Sequence, residues 1–319
     1  MTGSSTGSFP ARASPKEIAT MKVSTARRIL GVFQRLPVGM YVWSLDNQIT
    51  WTPSRKIRRS HTFAEETVAG RNVGWLDKHN ATRGVIIHLH GGGYTSGPFA
   101  QMWDWLADLA SRTGLAAAMI DYRLGSEAPY PAAPDDAEAV LNELGASGVL
   151  RPDTPWVLIG DSAGGGLALV SCRRLLDHGG PIPGCLVLAS PFVDMRLDHP
   201  DIPALDPKDP SISVELLERG KTLYAPGEDY NNPELSPTEA RLDDLPPIHI
   251  RVGTDEIFLP DITIFNDKLN AAGITTDFYI EPGGIHVYPM LIDDDMCQRA
   301  LASQAQFIQQ HLSLDTTTR

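Results

Sequence analysis

Residues 158–169 read "LIGDSAGGGLAL" and set Ser162 between Gly160 and Gly164. A serine hydroxyl is a weak nucleophile unless a base takes its proton and an acid orients that base. Ahead of it runs the apolar "WVLI", and behind it the helix-like "GGGLALVSCRRLL". Gly-x-Ser-x-Gly at a strand-to-helix junction marks a sharp turn that lifts the hydroxyl above a sheet. Glycines flank the turn because side chains there would strike neighbouring backbone. The start of the following helix offers partial positive charge to a developing anion. The chemistry indicated is attack on an acyl carbonyl, with an ordinary glycine-rich turn as the structural alternative.

On such a sheet the base and its acid follow the serine in the order acid, then histidine. Of nine histidines, only His286 and His311 come well after Ser162 near a strand end. His311 falls inside the terminal helical pattern, whereas His286 follows the strand-like "DFYIE" in the glycine-rich "EPGGIHVYPM". His286 is therefore the expected base. For the acid, Asp255 is the first carboxylate after "IHIRV", with Glu256 and Asp261 as rivals. Asp261 has the place of a helix N-cap ahead of "ITIFNDKL". Asp255 is expected to hold the tautomer of His286 that leaves its other nitrogen free for the serine proton.

A second glycine cluster, "HLHGGGYTSG", ends the first strong apolar run at His90-Gly91-Gly92-Gly93. Acyl transfer concentrates charge on one oxygen, and glycines let backbone N–H groups approach it unobstructed. Together with the N–H of Ala163, such a loop makes an oxyanion hole. A phosphate cradle would want a Lys-Ser or Lys-Thr pair next, and "YTSGPF" supplies none. His88 and His90 share one face of a strand, but no further His, Cys or carboxylate cluster completes a metal site. His90 is expected to brace the loop and His88 to sit in the core. No metal and no cofactor is expected.

These groups need a scaffold. "GVIIHLH", "LAAAMIDYRL", "WVLIGD", "GCLVLASP" and "IHIRVG" are apolar runs without alternation, each ending in polar or turn residues, and "GITTDFYIE" is a weaker strand. Helical patterns lie between them, at "DDAEAVLNELGAS" and over 164–177, 261–272 and 294–312. The alternation predicts an α/β protein with a mostly parallel sheet covered on both faces. Residues 48–76 read as short strands with little buried character. The first 14 or so residues are Ser-, Thr-, Gly- and Pro-rich and read as disordered, and a helical pattern follows them. Residues 194–245 break the rhythm with Asp- and Pro-rich loops and a helical "SVELLERGKTLY" that Ser213 is placed to cap. An insertion there is expected to lie over the carboxyl ends of the strands, as part of a lid.

The 319 residues carry a net charge of −12, which repels polyanions and gives no basic patch for an anionic membrane. Three cysteines without paired spacing suit a reducing compartment. With no apolar leader and no run long enough to span a bilayer, the expectation is a cytoplasmic protein. A small-molecule ester is the expected partner, with no nucleic acid, no membrane, and a homodimer as the assembly considered.

The motifs "HGGGY", "DYRLGSEAPYPAAPDDA", "GDSAGGGLA", "ASPFVD", "VGTDEIF" and "GGIHVYP" resemble, in order and spacing, the hormone-sensitive-lipase-like (bacterial family IV) carboxylesterases. The likeness runs from about residue 80 to the C-terminus. It implies an α/β-hydrolase fold, a mostly parallel sheet flanked by helices, with a helical cap made from an N-terminal segment (1–47) and an insertion (194–232) in a 48–319 catalytic domain. It also implies a Ser162–His286–Asp255 triad and oxyanion donors at Gly92, Gly93 and Ala163. Gly125-Ser126 stands where the family commonly has Ala-Pro, and Asp255-Glu256-Ile257 where it has Asp-Pro-Leu. Tyr94, Phe99 and Phe192 are candidate pocket residues. The expected activity is hydrolysis of short- to medium-chain acyl esters through an acyl-enzyme. A lactone, amide or carbamate hydrolase with the same triad is the near alternative. A non-catalytic receptor is the further one: the gibberellin receptors share the resemblance but lack the catalytic histidine, which is present here.

Overall fold

The computed structural model describes residues 22–33, 48–151, 154–290 and 294–314. The expected disorder near the N-terminus and the 34–47 stretch of the expected cap segment lie outside the described residues. Among the described residues, eight strands form one sheet: β1 (Phe63–Val68), β2 (Arg71–Leu76), β3 (Val85–Leu89), β4 (Ala116–Ile120), β5 (Trp156–Asp161), β6 (Cys185–Ala189), β7 (Ile248–Asp255) and β8 (Thr276–Ile285). Their order is β1-β2-β4-β3-β5-β6-β7-β8. β1 and β2 pair antiparallel, as do β2 and β4, and every other pairing is parallel. Every residue of β3, β4, β5 and β6 is buried, as unbroken apolar runs in a two-faced parallel sheet should be.

The longer helices are α1 (Val23–Phe33), α2 (Ala100–Thr113), α3 (Ala132–Ala146), α4 (Ala163–His178), α5 (Val214–Tyr224), α6 (Leu259–Ala271) and α7 (Asp295–His311). Side chains of α3, α4 and α6 build the core on one face of the sheet. Those of α2 and α7 build it on the other, around Trp103, Trp105, Leu301 and Ile308. Helices α2 and α4 stop at Gly114 and Gly179, both left-handed, a conformation that costs glycine little. The apolar pattern of α2, with two fully buried tryptophans, escaped the sequence reading altogether.

The 48–76 expectation is corrected. Val73, Trp75 and Leu76 are fully buried, because β2 is an interior strand between β1 and β4. Residues 194–245 do connect β6 to β7 and hold α5, with a single helical turn at Ile202–Leu205 before it. Ser213 caps α5, its hydroxyl accepting from the N–H of Leu216 at 3.2 Å. Asp261, in contrast, is no N-cap. Helix α6 starts at Leu259 after Phe258, which leaves Asp261 inside the first turn and buried.

Candidate active site

Ser162 stands between the last residue of β5 and the first of α4, with φ 51° and ψ −123°. That left-handed backbone is strained for a residue with a side chain, and such strain is characteristic of a nucleophile turn. The turn is closed by close approach: a Cβ on Gly164 would lie 2.0 Å from the carbonyl oxygen of Leu89. The N–H of Ser162 donates to the carbonyl of Ala189 at 2.9 Å, tying the turn to the end of β6. Ala163, directly after it, opens α4, so its N–H is one of those with no acceptor inside its own helix.

His286 Nε2 lies 2.9 Å from Ser162 Oγ. Its other nitrogen, Nδ1, lies 3.0 Å from Oε2 of Glu256. Here the assignment of Asp255 fails. Asp255 ends β7 with its carboxylate turned away, 2.7 Å from Arg27 Nη1 on α1. Asp255 is the last residue of β7 and Glu256 lies at the bend that follows, so the two adjacent carboxylates point to different sides and only Glu256 faces the histidine. Glu256 is fully buried, and its Oε1 accepts from Ser190 Oγ at 2.8 Å and from the Gly253 N–H at 2.5 Å. The Ser190 hydroxyl also accepts from the N–H of Val287 at 3.0 Å. One side chain thus braces both Glu256 and the residue after His286. Sequence reading passed over Ser190, although it lies in the quoted "ASPFVD" motif.

Burial by itself would press the pKa of His286 down. The hydrogen bond and charge of Glu256, with the charges of Asp209 and Asp161, outweigh that and raise it. Asp209 comes from the 194–245 insertion and is itself fully buried. It accepts from the N–H groups of Ser211, Ile212 and, at 3.0 Å, Ile257, next to Glu256. Burial pushes its carboxyl up to about 6. Phe258 meets the imidazole edge-on at 5.2 Å and stacks on Phe192 at 4.5 Å.

The 91–97 loop follows β3. Gly92 has φ +117°, and a Cβ there would fall 2.0 Å from the carbonyl oxygen of Ser96, so no other residue fits. Among the described residues, the N–H groups of Gly92 and Gly93 make no hydrogen bond. The loop is pinned from below. Asp161 Oδ1 accepts from the Gly91 N–H at 3.0 Å and sits 2.8 Å from His88 Nε2. His90 stacks on Tyr122, whose hydroxyl donates to the His90 carbonyl at 2.6 Å, and its Nδ1 lies 2.8 Å from the Gly91 carbonyl. His88 and His90 are therefore engaged with a carboxylate and a carbonyl inside the protein. Among the described residues, no three His, Cys, Asp or Glu side chains are grouped to hold a metal ion.

The three aromatic candidates separate. Tyr94 is buried and stacks on Tyr224 of α5 at 4.0 Å, and Phe192 is buried against Phe258. Phe99 packs against the core of the opposite face, alongside Trp51 and Phe63. His311, at the end of α7, rests on Phe307 with ring centroids 4.2 Å apart.

Comparison with known proteins adds an independent line. A family model described as alpha/beta hydrolase fold matches residues 86–290. An esterase of Acinetobacter venetianus is 33% identical over 62% of this chain, a stretch spanning 65% of that protein. An acetyl-hydrolase of Streptomyces hygroscopicus is 30% identical over 70% of this chain and 74% of that one. Among solved structures, a hormone-sensitive lipase from a metagenome library superposes with TM-score 0.80 at 28% identity, covering 92% of this chain and 99% of that one. The esterase EstE5, soaked with p-nitrophenyl butyrate, gives TM-score 0.80 at 26% identity over 91% and 98%.

Proposed function

The chain belongs to the alpha/beta hydrolase fold family, in its hormone-sensitive-lipase-like esterase branch, and from that premise we propose that it hydrolyses carboxylic esters through an acyl-enzyme on Ser162. The observation that carries this reading is the continuous Ser162–His286–Glu256 hydrogen-bonded line, with distances of 2.9 and 3.0 Å. In this reading His286 Nε2 takes the Ser162 proton as Oγ attacks the ester carbonyl. The oxygen that gains charge is received by the N–H groups of Gly92, Gly93 and Ala163. The C–O bond to the alcohol breaks, and the alcohol leaves with the proton from His286. Water then attacks the acyl-serine with the same base, releasing the carboxylic acid and restoring the hydroxyl. Glu256, not Asp255, holds the imidazole tautomer and stabilises the imidazolium.

The insertion 194–232, with the N-terminal segment, is read as a cap over this site, which favours short- to medium-chain acyl groups. Stacking of Tyr94 on Tyr224 and the contact of Asp209 with Ile257 support the insertion's part in it. Three buried cysteines outside any disulfide fit a cytoplasmic setting, and no helix among the described residues is long and apolar enough to cross a membrane. The test is Ser162→Ala assayed with p-nitrophenyl butyrate. Turnover should fall to the uncatalysed background and fluorophosphonate labelling should vanish; retained turnover overturns the assignment.

A further inference from the structure

Asp255, displaced from the triad, is held in a way that suggests a different task. Its Oδ2 accepts from Arg27 Nη1 at 2.7 Å, while Nη2 of the same guanidinium donates to the Gly283 carbonyl at 2.9 Å. Arg27 belongs to α1 and is 228 and 256 residues away from these two partners. Asp255 immediately precedes Glu256, and Gly283 lies three residues before His286. One side chain therefore ties the end of β7, which leads into Glu256, to the end of β8, which leads into His286.

These loops need such a brace. β8 is the edge strand, so among the described residues no strand pairs with its outer side. Its pairing with β7 is irregular between Gly253 and Asp255, just where the two loops begin. Within the irregularity, the Gly283 N–H donates to Thr254 Oγ1 at 2.8 Å, and the Thr254 hydroxyl donates to Asp255 Oδ1 at 3.2 Å. Arg27 closes this ring from outside. Helix α1 brings it there by packing Ala26, fully buried, against Ile285, Tyr288, Cys297 and Ala300, with Leu30 alongside. Ile285 and Tyr288 flank His286 on both sides.

We infer that Arg27 is a positioning residue: from the N-terminal helix it clamps Asp255 and the Gly283 carbonyl, keeping Glu256 and His286 in register at the edge of the sheet. The inference rests on the proposed esterase reading with Glu256 as the acid. A displacement of about 1 Å between reacting groups is enough to cost catalysis while leaving substrate binding intact. The clamp is partly solvent-exposed, with Arg27 and Asp255 side chains 35% and 30% accessible, which limits its strength and exposes it to salt.

The experiment compares Arg27→Met, Asp255→Asn, their double variant, Arg27→Lys and Glu256→Gln in the full chain, using p-nitrophenyl butyrate. Arg27→Met and Asp255→Asn should each lower kcat by roughly three- to tenfold, with KM within about twofold. The double variant should be no worse than the poorer single, because both remove one clamp. Arg27→Lys should recover part of the loss, since an ammonium restores the charge but not both bonds. Raising salt should slow the wild type towards Arg27→Met and leave that variant unchanged. Unaltered kcat in both singles, multiplying effects, or a loss confined to KM or Tm overturns the clamp while Glu256→Gln still lowers kcat by about 10⁴-fold. If instead Asp255→Asn causes that loss and Glu256→Gln does not, the acid assignment falls, and the clamp with it.

Discussion

On the proposed reading, the half of the site that carries Ser162 and the half that carries Glu256 and His286 are held by different means. Ser162 and the Gly91–Gly93 loop stand on β5 and β3, central strands with neighbours on both sides. There close backbone approach does much of the placing, through contacts that leave no room for a Cβ at Gly92 or Gly164, with Asp161 and Tyr122 pinning the loop from below. Glu256 and His286 follow the ends of β7 and the edge strand β8, where the ladder between the two is irregular and side chains take over: Ser190 between the two, Asp209 from the insertion, Arg27 from α1. A site half built from backbone geometry leaves its mark in glycine spacing. A half built from side chains meeting across long sequence separations leaves almost none.

This difference is tested most severely at Glu256. Replacing it with Gln keeps the shape but removes the charge facing Nδ1, and kcat should drop by about 10⁴-fold, the scale seen when a triad carboxylate is neutralised. The residual activity carries a second signature. In the wild type the Glu256 hydrogen bond and charge raise the pKa of His286 against the lowering effect of burial. With that support gone the imidazolium loses its proton at lower pH, so the acid limb of the kcat–pH profile should move down. A limb that stays in place would mean that another group sets it.

The same contrast explains what the sequence disclosed. The six strands from β3 to β8, their order of motifs and the serine turn were legible because apolar runs and glycine positions follow from burial and close approach. Neighbouring carboxylates at 255 and 256 were not separable, since which one faces inward depends on where β7 loses register with β8. Nor could Arg27 be foreseen, as nothing local marks a guanidinium whose partner lies 228 residues away. Helix α2 was not legible for a different reason: its "AQMWDWLADLASRT" follows Phe99, which gives no polar N-cap to mark a helix start.

Two buried histidines, one from each half, sharpen the comparison by titrating in opposite directions. His90, fully buried under the glycine loop, is pressed down to about 4 by desolvation, its bond to the Gly91 carbonyl offsetting only part of this. His286, nearly as buried, is raised because carboxylates face it. A histidine whose folded pKa is depressed leaves stability intact above the unfolded value near 6.5 and removes it as pH falls towards the folded one. For His90 this amounts to about 3 kcal/mol by pH 4. His286 has the opposite sign: its contribution is present below the unfolded pKa and lost as pH rises through the raised one. His90→Asn, which retains a donor near the Gly91 carbonyl, isolates the first effect. Denaturant unfolding at pH 7 and pH 4 should show the wild-type advantage over the variant shrinking by about 3 kcal/mol. A constant difference would show that His90 titrates normally inside the fold.

The smallest effect concerns the point where the insertion comes down on the backbone-built half. Gly220 lies within α5, an interior position where glycine costs a helix about 0.5–1 kcal/mol relative to alanine. A Cβ at this position would stand 3.5 Å from the Gly93 carbonyl oxygen, an ordinary contact. Since α5 also stacks Tyr224 on Tyr94, the residue after Gly93, a single methyl can be added without moving the helix off the loop. Gly220→Ala should therefore gain a few tenths to about 1 kcal/mol in stability with kcat/KM for p-nitrophenyl butyrate unchanged. Gly220→Leu has no such room over the carbonyl and must lift α5, so its KM should rise while the triad-dependent fluorophosphonate labelling persists. If alanine alone already lowers kcat, the glycine loop is not held solely from below by Asp161 and His90, and the insertion shares in shaping the oxyanion hole.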